Sequence, residues 1–121
     1  MVGVSAPIRR GEVWTANLNP NKEGSEVGKI RPVLVLQDTA LTQAGLATII
    51  VAPLTTQSRP ALAPLRIALP VRERMLLPSF VMVEHVRAID RDRLGDGPLL
   101  RLDAQELAQV GTSLRAVLGL W

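Results

Sequence analysis

Three short stretches place polar side chains where the surrounding pattern calls for hydrophobes or a plain turn, and a further acid lies in the loop before the first of them. Arg31-Pro32 stands at the mouth of an apolar run, RPVLVLQ. Proline disfavours the helical region for the residue before it, so Arg31 is held extended, and proline is tolerated at a strand's first position. A guanidinium fixed this way suits bidentate binding of a phosphate; the plainer alternative is a surface arginine capping a strand end. Thr55-Thr56-Gln57 directly follows a second apolar run. Adjacent hydroxyls and an amide can donate to phosphate oxygens, or form a turn through local side-chain-to-backbone bonds. Glu84-His85 interrupts a third run, Val81-Met82-Val83 before it and Val86 after. Strand side chains alternate in facing, so one of this pair points inward unless a bulge intervenes. A carboxylate facing Arg31 can form an ion pair or act as a general base. A lone strand histidine is either an acid–base group or a satisfied structural one. Glu26 is a further acid–base candidate or a solvated loop carboxylate.

Other chemistries are excluded. With no cysteine there is no disulfide framework, thiol nucleophile or thiolate metal site. His85 is the only histidine, which rules out a multi-histidine zinc site or a two-histidine acid–base pair within one chain. GxxxxGK[ST] and G-x-S-x-G are both absent, removing a P-loop and a nucleophile elbow. Asp90-Arg91-Asp92 with Asp96 is too compact and too diluted by arginine for calcium and reads as a turn.

The elements that must position these groups are short. Residues 11–18 (GEVWTANL) read as a strand, with Val13, Thr15 and the apolar part of Asn17 on one face and Trp14 on the other. Residues 19–30 form a polar loop of a length often functional in so small a domain. Residues 31–37 read as a strand buried on both faces, 38–45 as a helical turn ended by Gly45, and 46–53 as a second central strand followed by the polar 54–59. The two strands bearing Arg31 and Thr55 are sequence neighbours and expected sheet neighbours, which lets their polar ends converge. A shorter strand at 65–69 leads into a connection at 70–78. A strand at 79–90 is long enough to need a bend or bulge, and a turn at 90–97 precedes a short edge strand at 98–102. Asp103 with Glu106 is a capping box opening an amphipathic helix, with Leu107, Val110, Leu114, Val117 and Leu118 on one face and Gln105, Gln109, Ser113 and Arg115 on the other. Short strands followed by one helix predict a mostly β domain with minor α: a small, partly open barrel of antiparallel strands with a C-terminal helix.

At 121 residues the chain is one domain's worth, with residues 1–9 expected as a flexible N-terminal segment and 10–121 as the domain. Hydrophobic residues make up 47% and charged ones 21%, a globular composition. The mean hydropathy of +0.21 is high for a chain this small and points to a surface reserved for a partner, such as a second copy. Runs without charge fall far short of the ~20 apolar residues of a membrane helix, and no secretory signal is visible, which predicts a cytoplasmic protein. The net charge is +3. The pI of about 10.6 overstates the basicity, because nearly all the cations are arginine and neither Tyr nor Cys titrates near pH 9–10. Only Trp14, Phe80 and Trp121 are aromatic, against sheet platforms that stack several RNA bases.

Four blocks in register carry a family resemblance: Arg10-Gly11-Glu12-Val13-Trp14 with Asn17-Leu18-Asn19-Pro20 and Gly24-Ser25-Glu26, then Arg31 to Gln37, Val51 to Gln57, and Val86 to Leu94. Together they resemble MazF/PemK-type toxins from about Arg10 to the C-terminal helix. That resemblance implies a homodimer of SH3-like, CcdB-like barrels acting as an endoribonuclease (mRNA interferase), the toxin half of a toxin–antitoxin pair. Without metal or other cofactor, such toxins cut single-stranded RNA to a 2′,3′-cyclic phosphate and a 5′-hydroxyl. The partner implied is a MazE-like antitoxin with a disordered C-terminal segment. Carried over by position, Arg31 is similar to the catalytic arginine of the RP motif and Thr55 to the threonine beside it. Glu26 matches a loop carboxylate and Glu84 an acid used by some members. Two positions depart from the pattern: Ile30 replaces a basic or polar residue, with Lys29 one earlier, and Met82 stands where plasmid-borne relatives place a second arginine.

The expected site therefore comprises Arg31, Thr55, Glu26 and Glu84 as catalytic groups, with Lys29, Thr56, Gln57, Ser58, Arg59 and Arg87 as RNA contacts. The groove between two protomers is the expected RNA site, and the 19–30 loop its antitoxin-responsive cover. Two rivals predict different behaviour. A CcdB-like gyrase poison would depend on Trp121 and not on Arg31, and a non-enzymatic SH3-like module would bind without forming product.

Overall fold

An eight-residue run, TIIVAPLT, forms the strand around which the sheet is assembled, β3 (Thr48–Thr55). In the computed structural model, which describes residues 7–18 and 30–120, β3 pairs along one edge with β2 (Ile30–Val35). Its other edge is divided: Thr48 to Val51 pair with β6 (Arg87–Asp90), and Leu54 and Thr55 pair with β5 (Ser79–Met82). β4 (Arg66–Leu69) extends the sheet beyond β5, while β1 (Glu12–Asn17) and the two-residue β7 (Leu100–Arg101) extend it beyond β2. Every pairing among these seven strands is antiparallel, and the sheet curls into a partly open barrel. Dividing one strand's edge between two partners is what bends the sheet there.

Apolar residues on both faces of the central strands explain the two-sided core. Leu34, Leu36, Ala52 and Leu54 face one cluster, shared with Val81, Val83 and Val110, while Val33, Val35, Ile49 and Val51 face the other, with Trp14 and Ile89. That is the period-2 alternation of a strand buried on both sides. The first cluster is covered by α2 (Ala104–Leu118), which packs on β4 and on the short helical turns at 60–65 and 83–85. Its capping box is formed: Asp103 Oδ1 accepts the Glu106 N–H at 2.8 Å, and Glu106 Oε1 accepts the Asp103 N–H at 3.0 Å. A shorter α1 (Thr39–Gln43) is capped by Asp38 and followed by Gly45 at φ +96. Among the described residues no helix is long and apolar enough to cross a membrane.

β1 divides as expected, with Val13 in the first cluster and Trp14 on the other face in the second, joined there by Ala16. Two expectations need correction. On α2, Leu118 is exposed and Ser113 is buried; the Ser113 hydroxyl donates to the Pro64 carbonyl, which lets a polar residue face inward. The expected strand at 79–90 is two strands, β5 and β6, separated by a 3₁₀ turn at 83–85, so the bend is a full interruption. Of the N-terminal segment, residues 7–9 are described: Ile8 packs on the second cluster and the Arg9 N–H donates to Glu12.

Candidate active site

Arg31 is the second residue of β2 and Thr55 closes β3. The register between them runs Val33 to Pro53, Leu34 to Ala52 and Val35 to Val51, so two further steps bring Arg31 level with Thr55. Both line one cleft of about 410 Å³. Its floor is Leu18, Pro53 and Met82; its polar wall is Arg31, Thr55, Gln57, Arg59, Arg66, His85 and Arg87. Among the described residues, four guanidiniums and no carboxylate border the cleft, a constellation suited to a phosphodiester.

Each wall residue is placed by local structure. The Thr55 hydroxyl accepts the Gln57 backbone N–H at 3.2 Å, the local turn bond that its position after a strand allows. Accepting that bond fixes the oxygen and leaves the hydroxyl proton to donate into the cleft. Gln57 Oε1 accepts from Arg59 Nη2 at 2.9 Å, steadying a guanidinium on an exposed segment. Arg66 comes from the start of β4, opposite Met82 in the β4–β5 register. Its side chain is 9% exposed and grips Glu84 through two nitrogens. Nε donates to Glu84 Oε1 at 3.2 Å and Oε2 at 3.0 Å, and Nη2 donates to Oε2.

The 3₁₀ turn at 83–85 answers which of Glu84 and His85 points inward: neither does. The turn buries Val83 and swings both polar side chains out of the core, Glu84 to Arg66 and His85 to the cleft. Burial pushes the Glu84 carboxyl up, but the Arg66 hydrogen bonds, its own backbone N–H and the nearby charges outweigh this and hold it below the usual carboxylate range. Glu84 is thus a standing anion spoken for by Arg66, and it does not line the cleft.

Of the expected groups, the fold brings Arg31, Thr55, Gln57, Arg59 and Arg87 together; Thr56 and Ser58 are exposed outside the cleft lining. Glu26, Lys29 and most of the loop at 19–30 lie outside the described residues, as does Trp121. Sequence reasoning missed Arg66 and set His85 aside as one of two alternatives. Arg66 carried no local signal, since its partner lies 18 residues away in the turn at 83–85, whereas His85 was visible as the neighbour of Glu84 in a run that had to bend.

Solved structures share this architecture over nearly the whole chain. MazE–MazF from Deinococcus radiodurans aligns at TM-score 0.78 and 26% identity, covering 97% of this chain and 100% of that one. MazF from the same organism aligns at TM-score 0.74 and 27% identity, covering 95% and 99%. An endoribonuclease in complex with its cognate antitoxin, from a mycobacterial species, shares the fold at TM-score 0.75 and 22% identity over 94% and 97%. A family model for PemK-like, MazF-like toxins of type II toxin–antitoxin systems matches residues 9–118, and the chain belongs to that family.

Proposed function

We propose that this endoribonuclease toxin cleaves single-stranded mRNA at short sequences, without a metal, by attack of a ribose 2′-OH on its own neighbouring phosphorus. The products are a 2′,3′-cyclic phosphate and a 5′-hydroxyl. The observation that carries this reading is the meeting of Arg31 and Thr55 on one arginine-rich cleft. Internal attack needs no water nucleophile; it needs in-line geometry, a proton acceptor, a proton donor and positive charge on the phosphorane. Arg31 supplies the charge and Thr55 a hydrogen bond to a non-bridging oxygen. Arg59, Arg87 and Gln57 hold the flanking backbone, joined by Thr56, Ser58 and Lys29 along the strand's path. Of the two expected carboxylates, Glu84 is engaged by Arg66, which leaves Glu26 as the base that takes the 2′-OH proton.

The chain acts in the cytoplasm as a homodimer, with RNA in the groove between protomers and a MazE-like antitoxin as its inhibitor. Exposed Leu76, Leu77, Leu120 and Ile30 fit a molecule that covers apolar surface with partners. Light scattering at micromolar concentration should give twice the chain mass; a monomer would contradict the dimer. The activity itself is tested by incubating the purified chain with a long single-stranded RNA in EDTA and mapping the ends. Discrete cuts ending in cyclic phosphate are expected, and intact RNA would overturn the reading.

A further inference from the structure

Cleavage by this route must protonate the departing 5′-oxygen, a role that the parts proposed above for Arg31, Thr55 and Glu26 leave unfilled. From the geometry of the cleft we infer that His85 is the general acid, oriented by an Arg66–Glu84 pair behind it. This rests on the proposed RNA cleavage. His85 lines the same cleft as Arg31 and Thr55, with its side chain half in solvent. Its Nε2 lies 3.7 Å from Glu84 Oε2, and no hydrogen bond among the described residues engages Nδ1. Glu84 is in turn held by Arg66 Nε and Nη2, so the chain of contacts runs from a nearly buried guanidinium through a carboxylate to an imidazole at the cleft wall.

The chemistry of that chain favours an acid over a base. Glu84 remains an anion, as its lowered carboxyl requires, and so gives a protonated imidazole a permanent counter-charge. Among the described residues, the other charged groups lining the cleft are Arg31 from β2, Arg59 from the segment after β3, Arg66 from β4 and Arg87 from β6. Their guanidiniums are suited to holding the phosphate. In the step itself the 2′-O–P bond forms and the P–O5′ bond breaks. The 2′-OH proton goes to the carboxylate base, and the imidazolium proton goes to O5′. Glu84 and Arg66 touch no reacting atom and are positioning residues.

The test uses the full chain and two RNA oligonucleotides spanning a mapped cut site, one ordinary and one with sulfur replacing the bridging 5′-oxygen at the scissile bond. A thiolate leaves without protonation, so a missing acid is not felt on the second substrate. His85→Gln should lose about 10²-fold on ordinary RNA and recover most of that loss on the sulfur substrate. Glu84→Gln should show a smaller loss with the same recovery. Arg31→Ala should fail on both substrates. A His85→Gln rate within threefold of wild type on ordinary RNA, or an equal loss on both substrates, would overturn the assignment while leaving the proposed cleavage intact. A wild-type chain that leaves both RNAs whole overturns the two together. His85 is exposed, so its replacement does not disturb the core.

Discussion

One oxygen of Thr55 has two tasks: it accepts the Gln57 N–H and presents its own proton to the cleft. Thr55→Val removes both and should slow single-turnover cleavage by about 10²–10³-fold; Thr55→Ser, which keeps them, should stay close to wild type. Glu12 is the counter-example of a polar residue that serves the fold. It is 2% exposed, yet its carboxylate accepts the Arg9 N–H and Trp14 Nε1–H at 3.0 Å each, and Arg101 Nε–H at 3.1 Å. Glu12→Ala orphans a buried indole donor and should cost about 1–3 kcal/mol in urea denaturation with cleavage per folded molecule unchanged. Arg31 and Thr55 were legible in the sequence because each stands where a strand ends, next to a proline or a polar run. Arg66 was not, because its pairing with Glu84 spans 18 positions, from the start of β4 to the turn at 83–85.

At the level of elements, local turn and capping chemistry was legible in the helical turn at 38–45 ended by Gly45 and in the Asp103–Glu106 box, while the Asp38 cap was not singled out. The interruption between β5 and β6 was expected only as a bend. Its form is set by β3, whose two halves take different partners, and no window of the 79–90 sequence contains that constraint. The same non-local packing decides what a methyl group does at two glycines. A Cβ at Gly97 would stand 2.6 Å from Cγ of the buried Trp14 ring, so Gly97→Ala should destabilise by about 1–3 kcal/mol. A Cβ at Gly111, inside α2, meets nothing within 4 Å, so Gly111→Ala should stabilise by about 0.5–1 kcal/mol. Thermal or urea unfolding of the two variants checks both signs.

For the whole molecule, a two-sided apolar core carries the fold while positive charge gathers on one cleft. The sequence predicted a partly open barrel with a C-terminal helix and located two strand ends that meet; it could not show that four arginines from four different segments share that cleft, since only the closed sheet brings them together. Concentrated positive charge is held in part by Glu84, and this gives the fold an acid dependence. A carboxyl held below its usual range adds stability that is present at neutral pH and is lost as pH falls through its folded value. Glu84→Gln should therefore be less stable than wild type near pH 7 and should lose less stability on acidification, as measured by urea midpoints from pH 7 to pH 3.

In the proposed reaction this cleft cuts RNA and Arg31 supplies the charge for it. The most direct test of this is the single-turnover cleavage rate of Arg31→Ala against wild type, on one single-stranded RNA carrying a mapped site, in EDTA, with folding of both proteins checked by circular dichroism. A loss of at least about 10²–10³-fold is expected, with the fold unchanged. A folded Arg31→Ala chain that keeps more than about a tenth of wild-type cleavage would contradict it.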